Sequence, residues 1–405
     1  MKRRQAYKFQ LIPNGEQTRL MRKFSGCCRF VYNYVLQLQK ENHEAGKPFI
    51  SYVSMAAKLP VLKRSQTTKW LKTTPSQSLQ HALKDLDRAF KNFFDKRAAF
   101  PRFKKKGKGD SFRYPDPKQF KIDSTNSRIS LPKLGWVRYH NSRKILGTPK
   151  NITITQSAGR WFLSIQTERE VEKPIPVAAT AIGIDVGIAR FATLSDGTFF
   201  EPLSSFKKHE TQLRRCQREM SRKTKFSKNW RKSKAKVQKI HSQIANSRRD
   251  YLHKTSHTIS KNHAMVCVED LQVRNMSKSA SGNTEKPGRK VSAKRGLNKA
   301  ILDQGWYEFR RQLEYKVSWN GGWFVAVPPK NTSRTCPYCN HISGENRITQ
   351  AKFLCVECGF TENADVVGAI NVLRAGHARL ACGEKVQLGL SVKQEPTEET
   401  TQSSV

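Results

Sequence analysis

Apolar residues near the N-terminus change their spacing from every second position to every third or fourth. Ala6–Ile12 alternates as a strand does, and Asn14 with Gln17 has the spacing of a capping box that begins a helix. Two stripes of helical period follow, formed by Leu20, Phe24, Cys27, Val31, Tyr34 and Leu38, and by Leu79, Leu83, Leu86, Phe90 and Phe93. The pattern predicts a strand followed by a helical bundle at residues 13–96.

Between Phe103 and Glu170 the apolar residues alternate in short runs separated by turn residues. The runs lie at residues 120–122, 129–131, 136–139, 152–154 and 162–165. We predict that they form, together with the first strand, a small β-barrel made of residues 1–12 and 97–175. Pro174 and Pro176 mark a linker after it.

From Ala181 the pattern is typical of an α/β domain. Apolar runs at 182–188, 264–269 and 324–327 predict buried strands, and Ser195–Gly197 predicts a hairpin turn after the first of them. Residues 205–260 predict basic helical structure. A further helix is predicted from Leu302, Trp306, Phe309 and Leu313. Polar composition predicts a mobile loop at 277–296 and a disordered tail at 381–405.

The charge of the chain indicates which class of partner it binds. The 405 residues include 75 Lys and Arg against 32 Asp and Glu, a formal net charge of +43. Such a surplus repels itself unless a polyanion neutralises it, and nucleic acid is the simplest polyanion. No apolar run is long enough to span a bilayer, and none follows the basic start as in a signal peptide. Unpaired cysteines favour a reducing cytoplasm.

Four cysteines form two CxxC pairs. Cys336 with Cys339 and Cys355 with Cys358 are separated by the loop 340–354. Each pair has the spacing of two thiolates on one tetrahedral metal, so together they predict a Cys₄ zinc ribbon at residues 333–362. His341 is an alternative ligand, although four cysteines suffice. Because four thiolates leave no open coordination position, the predicted zinc is structural.

Three carboxylates lie where an α/β sheet presents chemistry. Asp185 lies on the first strand of that domain, Glu269 ends the second, and Asp365 begins an apolar helical stretch after the ribbon. Gly183 and Gly187 flank Asp185 and would let a phosphate backbone approach it. Clustered carboxylates hold two Mg²⁺ or Mn²⁺ ions about 4 Å apart, which cleave phosphodiesters. We therefore predict a metal-dependent nuclease.

Each carboxylate also has a structural interpretation. Asp365 suits the N-terminus of its helix, and Asp270 competes with Glu269 for the site. Successive residues on a strand face opposite sides, so only one of that pair should reach a metal. Spacing alone leaves these alternatives open.

Basic residues concentrate in the segments 102–108 and 207–254. A charge run is usually a solvated helix face, but here too few acids are present to pair it, which favours contact with phosphates. The candidate nucleic-acid ligands are Arg102, Lys104, Lys105, Arg222, Lys223, Lys225, Lys228, Arg231 and Lys232.

Several motifs occur together in a characteristic order. They are Gly26–Asn33, Phe100–Phe103, Gly183–Gly187, Val268–Leu271, Asp303–Trp306, Thr332–Cys339, Cys355–Cys358 and Asn363–Val366. On these motifs the chain resembles the TnpB family, which is encoded by bacterial insertion sequences and long described as transposases. The resemblance covers about residues 5–375.

The resemblance implies a fold and an activity. It implies a RuvC-like nuclease domain of RNase H fold at 178–332 and 363–380, interrupted by the zinc ribbon. The predicted barrel would be a wedge domain, with residues 13–96 as a helical recognition insert. Kinship with type V CRISPR effectors follows. A guide RNA made from the transposon end would direct cleavage of double-stranded DNA beside a short motif.

The family's functional residues map onto this chain one by one. Asp185, Glu269 and Asp365 match its catalytic acids, and the four ribbon cysteines match its zinc ligands. Tyr52 and Gln80 resemble its DNA-contacting positions, although a core tyrosine and a surface glutamine are the ordinary interpretation. The family often has arginine before this last aspartate, where the chain has Ala364. After Asp365, Val367 and Gly368 replace the usual asparagine and alanine. That change predicts a looser or differently packed helix.

Two other functions remain open. The protein could be a transposase that acts directly on transposon ends, although such enzymes usually carry Asp, Asp and Glu in that order. It could also be a nuclease-inactive, RNA-guided DNA-binding regulator, which would be expected to lack an acid. For the leading interpretation the partners are guide RNA and target DNA, a separate transposase of the same element is allowed, and a membrane is not expected. The predicted location is the bacterial cytoplasm, with the nucleoid when DNA is bound.

Overall fold

The computed structural model describes residues 1–172, 174–176 and 178–382. The chain divides into two compact units, Met1–Glu172 and Lys173–Val405. The tail predicted at 381–405 lies outside the described residues from 383 onward, and Ala381 still belongs to the last helix. In the part of the chain that is described, no helix is long and apolar enough to cross a membrane.

The first unit combines a sheet with three helices. Its strands are β1 (Lys2–Ile12), β2 (Ser111–Tyr114), β3 (Lys121–Asp123), β4 (Arg128–Leu131), β5 (Gly135–Tyr139), β6 (Thr148–Ser157) and β7 (Arg160–Glu170). Its helices are α1 (Gly15–Glu44), α2 (Tyr52–Arg64) and α3 (Ser76–Phe94), with 3-10 turns at Lys69–Thr73 and Pro117–Gln119. The predicted capping box at Asn14 and Gln17 is present. β2 and α2 were not predicted.

The seven strands form one antiparallel sheet that curls. Their order is β2-β6-β7-β1-β5-β4-β3, so no ladder of backbone hydrogen bonds joins the edge strands β2 and β3 within residues 1–172. The hydroxyl of Tyr114 on β2 nevertheless donates to the carbonyl of Pro132, in the turn after β4, at 3.1 Å. The predicted barrel is therefore closed at this point by a side chain and not by a ladder.

The three helices are not separate from the sheet. One hydrophobic core contains residues of all three helices and the inner face of the sheet. The rings of Phe24 on α1 and Phe112 on β2 meet edge to face at 5.6 Å, and the Ser78 hydroxyl of α3 donates to the Arg113 carbonyl at 2.8 Å. Residues 13–96 are thus an insertion in sequence that shares its core with the surrounding sheet.

The second unit is an α/β domain. Its strands are β8 (Ala181–Asp185), β9 (Ala192–Leu194), β10 (Phe199–Phe200), β11 (Met265–Glu269), β12 (Trp323–Val327), β13 (Lys352–Leu354) and β14 (Thr361–Asn363). Its helices are α4 (Ser205–Ser221), α5 (Lys228–Asn262), α6 (Val273–Met276), α7 (Val291–Gln304), α8 (Trp306–Trp319) and α9 (Ala364–Ala381).

A five-stranded sheet of order β10-β9-β8-β11-β12 organises this unit. β8, β11 and β12 are parallel, and β9 runs antiparallel to both of its neighbours, β8 and β10. On one face, Ile182, Ile184, Val266 and Val268 pack against α5 and α8. On the other, Met265 and Cys267 pack against α9. α9 therefore covers the face to which alternate residues of β8 and β11 point.

Three predicted elements differ in extent. β8 ends at Asp185, so the turn at 195–197 joins β9 to β10 and not the predicted strand 182–188 to its partner. The helix predicted from Leu302 to Leu313 is two helices, because Gly305 has a left-handed φ of 76° that separates α7 from α8. Residues 291–296 of the predicted mobile loop form the first turns of α7.

Candidate active site

The alternation along β8 and β11 directs two carboxylates to the same face of the sheet. Ile184 pairs with Val268 in the parallel ladder, so Asp185 and Glu269 follow at the next position of each strand. Like Gly183 and Cys267, they belong to the face covered by α9. Asp365 lies in the first turn of α9. The fold thus brings the three predicted acids together.

The pKa of Asp185 is raised by its burial and by the charges of the other two acids. Burial raises the pKa of the Asp185 carboxyl from 3.8 to about 7, and the negative charges of Glu269 and Asp365 add to that shift. The positive charge of Arg347 and a backbone hydrogen bond at Val186 act in the opposite direction. Contributions of like charge to a raised carboxyl pKa are expected where carboxylates lie near one another without enough cations to neutralise them.

The competition between Glu269 and Asp270 is resolved by their partners. Asp270 pairs with Arg310 of α8, on the opposite face of the sheet from α9. Glu269 accepts a hydrogen bond of 2.6 Å from the hydroxyl of Thr332, a residue that is 8% exposed. Burial raises the pKa of Glu269, although the bond from Thr332 lowers it. Thr332 therefore orients Glu269, a role that spacing did not reveal.

Asp365 is held by a cap on one side and a cation on the other. The side chain of Asn363 caps α9 and accepts from the backbone N–H of Asp365 at 3.0 Å. Arg347, from the ribbon, lies with its Nη2 3.6 Å from Asp365 Oδ1 and donates to the Gln350 carbonyl at 2.8 Å. Sequence reasoning missed Arg347, because a single arginine in so basic a chain carries no signal.

The donor atoms distinguish two kinds of candidate metal site. Among the described ranges, the four ribbon cysteines are the only group of three or more such donors whose ligand atoms all lie within 4.8 Å of one another. The three carboxylates do not form such a group within the described residues. Carboxylate oxygens suit Mg²⁺ or Mn²⁺, as thiolates suit zinc.

The cysteine cluster fits a tetrahedral zinc ion. Cys336 Sγ lies 3.6 Å from Cys358 Sγ, and Cys339 Sγ lies 3.5 Å from Cys355 Sγ. Zn–S bonds of about 2.3 Å in a tetrahedron require S–S separations of about 3.8 Å. His341 is not part of the cluster. Its backbone carbonyl instead accepts from the Cys336 N–H at 2.9 Å.

The ribbon and the start of α9 share one small core. Cys336, Phe353 and Cys355 of the ribbon pack with Ala364 and Val367 of α9. The strand pair β13–β14 ends at Asn363, directly before the helix. α9 runs unbroken through Val367 and Gly368, so the predicted loosening is not observed. The ribbon therefore packs directly against the first turn of α9, which carries Asp365.

Glycines allow α9 to approach the sheet closely. A Cβ at Gly183 would lie 2.0 Å from the Ala369 carbonyl oxygen, and one at Gly376 would lie 2.2 Å from Cys267 Sγ. Gly183 is therefore a packing residue under α9, and the expectation that it admits a phosphate backbone was wrong. A Cβ at Gly368 would lie 3.0 Å from Asp185 Oδ2, so this glycine leaves space for that carboxylate.

The nucleic-acid candidates of the first unit divide into exposed and enclosed residues. Arg102 and Lys105 are exposed. Lys104 is held inward, because its backbone and the Asn33 side chain exchange hydrogen bonds of 2.8 and 3.0 Å. Its Nζ lies 4.1 Å from the centre of the Tyr32 ring, and burial lowers the pKa of Lys104. The structure thus argues against Lys104 as a phosphate ligand.

Tyr52 and Gln80 lie on neighbouring helices. Tyr52 begins α2 and is half-buried, with Lys84 Nζ 5.5 Å from its ring centre. Gln80 is exposed on α3, one turn before Lys84. The remaining basic candidates, all exposed, are at the α4–α5 turn and comprise Arg222, Lys223, Lys225, Lys228, Arg231 and Lys232.

Three family profiles match the chain. One described as "Probable transposase" matches residues 164–280, and one described as "Cas12f1-like, TNB domain" matches residues 306–372, which contain the ribbon. The third, described as "Helix-turn-helix domain", matches residues 1–48. In that range the structure has strand β1 and the single helix α1, and not two helices joined by a turn.

Relatives match the chain over almost its whole length. It is 60% identical over 398 residues to the "Putative RNA-guided DNA endonuclease InsQ" of Escherichia coli K12, covering 98% of each chain. A correspondingly named protein of Streptomyces pristinaespiralis is 32% identical, with 98% of this chain and 97% of the relative covered. Among solved structures, Cas12f1 in its complex with sgRNA and target DNA matches with a TM-score of 0.56 and 15% identity. That match covers 89% of this chain and 83% of Cas12f1, and it shows a common fold. The chain belongs to the TnpB family.

Proposed function

We propose that the protein is an RNA-guided, Mg²⁺-dependent endonuclease that cuts double-stranded DNA next to a short motif. The observation that carries the proposal is the convergence of Asp185, Glu269 and Asp365 on one face of the sheet, with the pKa of Asp185 raised to about 7. The names of the relatives support nuclease activity and RNA guidance.

We assign the second unit to the RuvC-like branch of the RNase H fold. Its sheet has the order β10-β9-β8-β11-β12. The strands β8, β9 and β10 form an antiparallel meander, and β11 and β12 follow on the other side of β8 and are parallel to it. The acids lie on β8, at the end of β11 and at the start of α9. The ribbon enters between β12 and α9, so a bound zinc ion would be structural and close to the site without taking part in chemistry.

The residues divide the chemical tasks among them. Asp185, Glu269 and Asp365 would hold two Mg²⁺ ions, which supply charge neutralisation on the attacking and leaving oxygens of an in-line displacement. Thr332 fixes the rotamer of Glu269 through its hydrogen bond. Arg347 provides a cation 3.6 Å from Asp365, where it can also contact a phosphate oxygen. Gly368 keeps space for the Asp185 carboxylate.

The specificity would come from base pairing and not from these residues. A guide RNA from the transposon end would pair with the target strand, while the protein supplies charge, motif reading and metal sites. The exposed cations Arg102 and Lys105 would contact backbone phosphates. Tyr52 and Gln80 stay candidates for motif reading.

The two other functions have weaker support. A transposase with this fold would be expected to carry its acids as Asp, Asp and Glu, and the order here is Asp, Glu and Asp. A nuclease-inactive regulator would have lost an acid. All three are present, and the charges of Glu269 and Asp365 contribute to the raised pKa of Asp185. Strand transfer by the purified protein without RNA would favour the transposase.

One experiment tests the proposal as a whole. The protein is expressed together with its flanking transposon DNA, and the RNA that copurifies is sequenced. The complex is then incubated with a library of plasmids that share a target matching the RNA and carry a randomised flank. We expect double-strand cuts beside one enriched motif with Mg²⁺ and none with EDTA. Cutting that ignores the RNA sequence, or that persists in EDTA, would contradict the proposal.

Gly368 offers a graded test of the geometry. Valine at this position would press on the Asp185 carboxylate, since even a Cβ would lie 3.0 Å from its Oδ2. We expect Gly368→Val to slow cleavage about 10²-fold, because a displacement near 1 Å can cost that much. Gly368→Ala should have a small effect, as the carboxylate can shift by a few tenths of an ångström.

A second helical glycine serves as the control for this series. Gly296 lies in α7 with no atom within 4 Å of a Cβ built on it. Gly296→Val carries the same helix penalty without a steric contact, so single-turnover rates should stay near wild type. Equal slowing by both valine variants would show that Gly368 matters for helix stability and not for the position of Asp185.

A further inference from the structure

The turn between α4 and α5 presents two aromatic rings at the end of a helical hairpin. Phe226 is 64% exposed, and its ring centre lies 5.5 Å from that of Trp230, with the planes inclined at 61°. The φ of Phe226 is +71°, a left-handed conformation that is costly for a bulky residue. Packing within the fold does not account for a strained residue whose ring faces water.

The same turn carries six cations, at positions 222, 223, 225, 228, 231 and 232. We call residues 222–232 the tip. Its Arg and Lys residues are all exposed, and none forms an ion pair within the described part of the chain. Lys225 Nζ lies 5.3 Å from the centre of the Phe226 ring, and Lys234 Nζ lies 5.0 Å from that of Trp230. Cations interleaved with aromatic rings suit a ligand with phosphates and flat bases.

The base of the hairpin is fixed to the nuclease unit. Asp303, whose side chain is 8% exposed, accepts from the Ser205 hydroxyl at 3.0 Å and from the Phe206 N–H at 2.8 Å, at the start of α4. Arg248 of α5 lies 3.8 Å from the same carboxylate. Between base and tip, α4 and α5 share a small apolar core made of Leu213, Val237, Ile240 and Ile244. The hairpin of α4 and α5, which we call the arm, is therefore fixed at its base and packed along its length, and it carries the tip at its far end.

The arm separates the tip from the catalytic acids. Leu252 is the first buried residue of α5 in the main core of the nuclease unit. At a rise of about 1.5 Å per residue, Lys228 lies about 36 Å along α5 from Leu252. That length corresponds to about ten stacked nucleotides at about 3.4 Å each. A strand at the tip would thus be held about 36 Å along α5 from Leu252 in the core of the nuclease unit.

We propose that the tip binds an unpaired base of the guide RNA by stacking it on the exposed ring of Phe226, with Trp230 supporting that ring and the surrounding cations on the adjacent phosphates. This inference rests on the proposed RNA-guided function. RNA is favoured over target DNA because its loops and ends offer unpaired bases, whereas DNA arrives with its bases paired and stacked. Stacking on aromatic rings accepts any base, so the tip would tolerate different guide sequences.

Binding measurements separate stacking from charge. The probe is the RNA that copurifies with the protein, transcribed in vitro and titrated at several salt concentrations. Phe226→Gly should weaken binding about tenfold with an unchanged salt slope, because it removes a ring but no charge. Its thermal stability should be retained, since glycine adopts this φ readily. Lys225→Gln with Lys228→Gln should instead reduce the slope by about 1.4.

The matched control is another exposed aromatic residue beside a cation. Phe199 is 47% exposed, with the Arg190 guanidinium 4.2 Å from its ring centre, and it lies on β10, away from the tip. Phe199→Ala should bind RNA as the wild type does. Equal weakening by Phe199→Ala and Phe226→Gly, or no weakening by either, would overturn the proposal.

Photocrosslinking identifies the strand at the tip. The same RNA is made with 5-iodouridine, which crosslinks to stacked aromatic rings, and target DNA is made separately with 5-iododeoxyuridine. We expect the RNA, and not the DNA, to crosslink to a peptide containing Phe226 or Trp230. Crosslinking of DNA alone would overturn the assignment to RNA. Because crosslinking needs no cleavage, a failure here is distinguishable from a failure of the nuclease proposal. That proposal is tested separately, by the cleavage rate of an Asp185→Asn variant.

Discussion

Asp185→Asn is expected to reduce DNA cleavage by about 10³-fold or more while the protein becomes more stable in the absence of metal. The substitution removes one carboxylate that would hold Mg²⁺, and it keeps the side-chain size. It also removes a buried negative charge that Glu269 and Asp365 repel. Single-turnover cleavage rates and thermal unfolding in EDTA measure the two effects on the same preparations.

The stability gain should depend on pH in a defined direction. The pKa of Asp185 is about 7 in the folded protein and near 3.8 otherwise, so the folded state binds more protons between these values. The contribution of Asp185 to stability therefore falls as pH rises from about 4 to 7. The asparagine variant lacks this loss, so its advantage should grow across that window and level off above it, on the order of 4 kcal/mol.

An aspartate in a turn between two strands of the same sheet provides the control for this variant. Asp196 is exposed in the β9–β10 turn, where it accepts hydrogen bonds from Thr198 at 2.7 and 2.9 Å. Asp196→Asn should cut DNA at nearly the wild-type rate and show no rise in stability. RNA binding should be retained by both variants, since neither residue belongs to the basic surface. Undiminished cleavage by Asp185→Asn would remove Asp185 from the active site.

Residues that act through local spacing were readable from the sequence. The two CxxC pairs specify their own geometry, because each holds two thiolates within one turn of chain. The capping box at Asn14 is equally local. Asp185 and Glu269 could be proposed because parallel strands present their ends at one edge. The choice between Glu269 and Asp270 needed the structure, in which Thr332 bonds to Glu269 and Arg310 pairs with Asp270.

Residues that act through tertiary packing were not readable. Thr332 reaches Glu269 only because the chain between β12 and the ribbon folds back on β11. Gly183 looked like an opening for phosphate, yet the backbone of α9 occupies the space beside it. In the sequence Lys104 resembles its exposed basic neighbours, but in the structure its backbone is hydrogen-bonded to the Asn33 side chain. In each case the deciding atom lies far away in sequence.

Loss of zinc from the ribbon is expected to abolish most cleavage although zinc performs no chemistry. Cys355→Ser removes a buried ligand, 1% exposed, from a core that also contains Ala364 and Val367 of α9. Structural zinc contributes about 10–16 kcal/mol to the folding of small modules, so the ribbon should unfold without it. Asp365 and Arg347 would then lose their positions. We expect cleavage to fall about 10²-fold or more, with Asp185 and Glu269 still in place on the sheet.

Three measurements connect the metal to the acid. Zinc content should fall in Cys355→Ser and stay at the wild-type level in Cys382→Ser, whose exposed cysteine lies outside the cluster. Amide hydrogen exchange at residues 364–369 should accelerate only in Cys355→Ser, because the first turn of α9 loses its packing against Phe353. Arg347→Ala should retain its zinc and the slow amide exchange of the wild type. It should cleave about tenfold more slowly, since it removes one cation beside Asp365. Full cleavage by a zinc-free ribbon would show that α9 holds Asp365 through the sheet alone, by its contacts at Gly183 and Gly376.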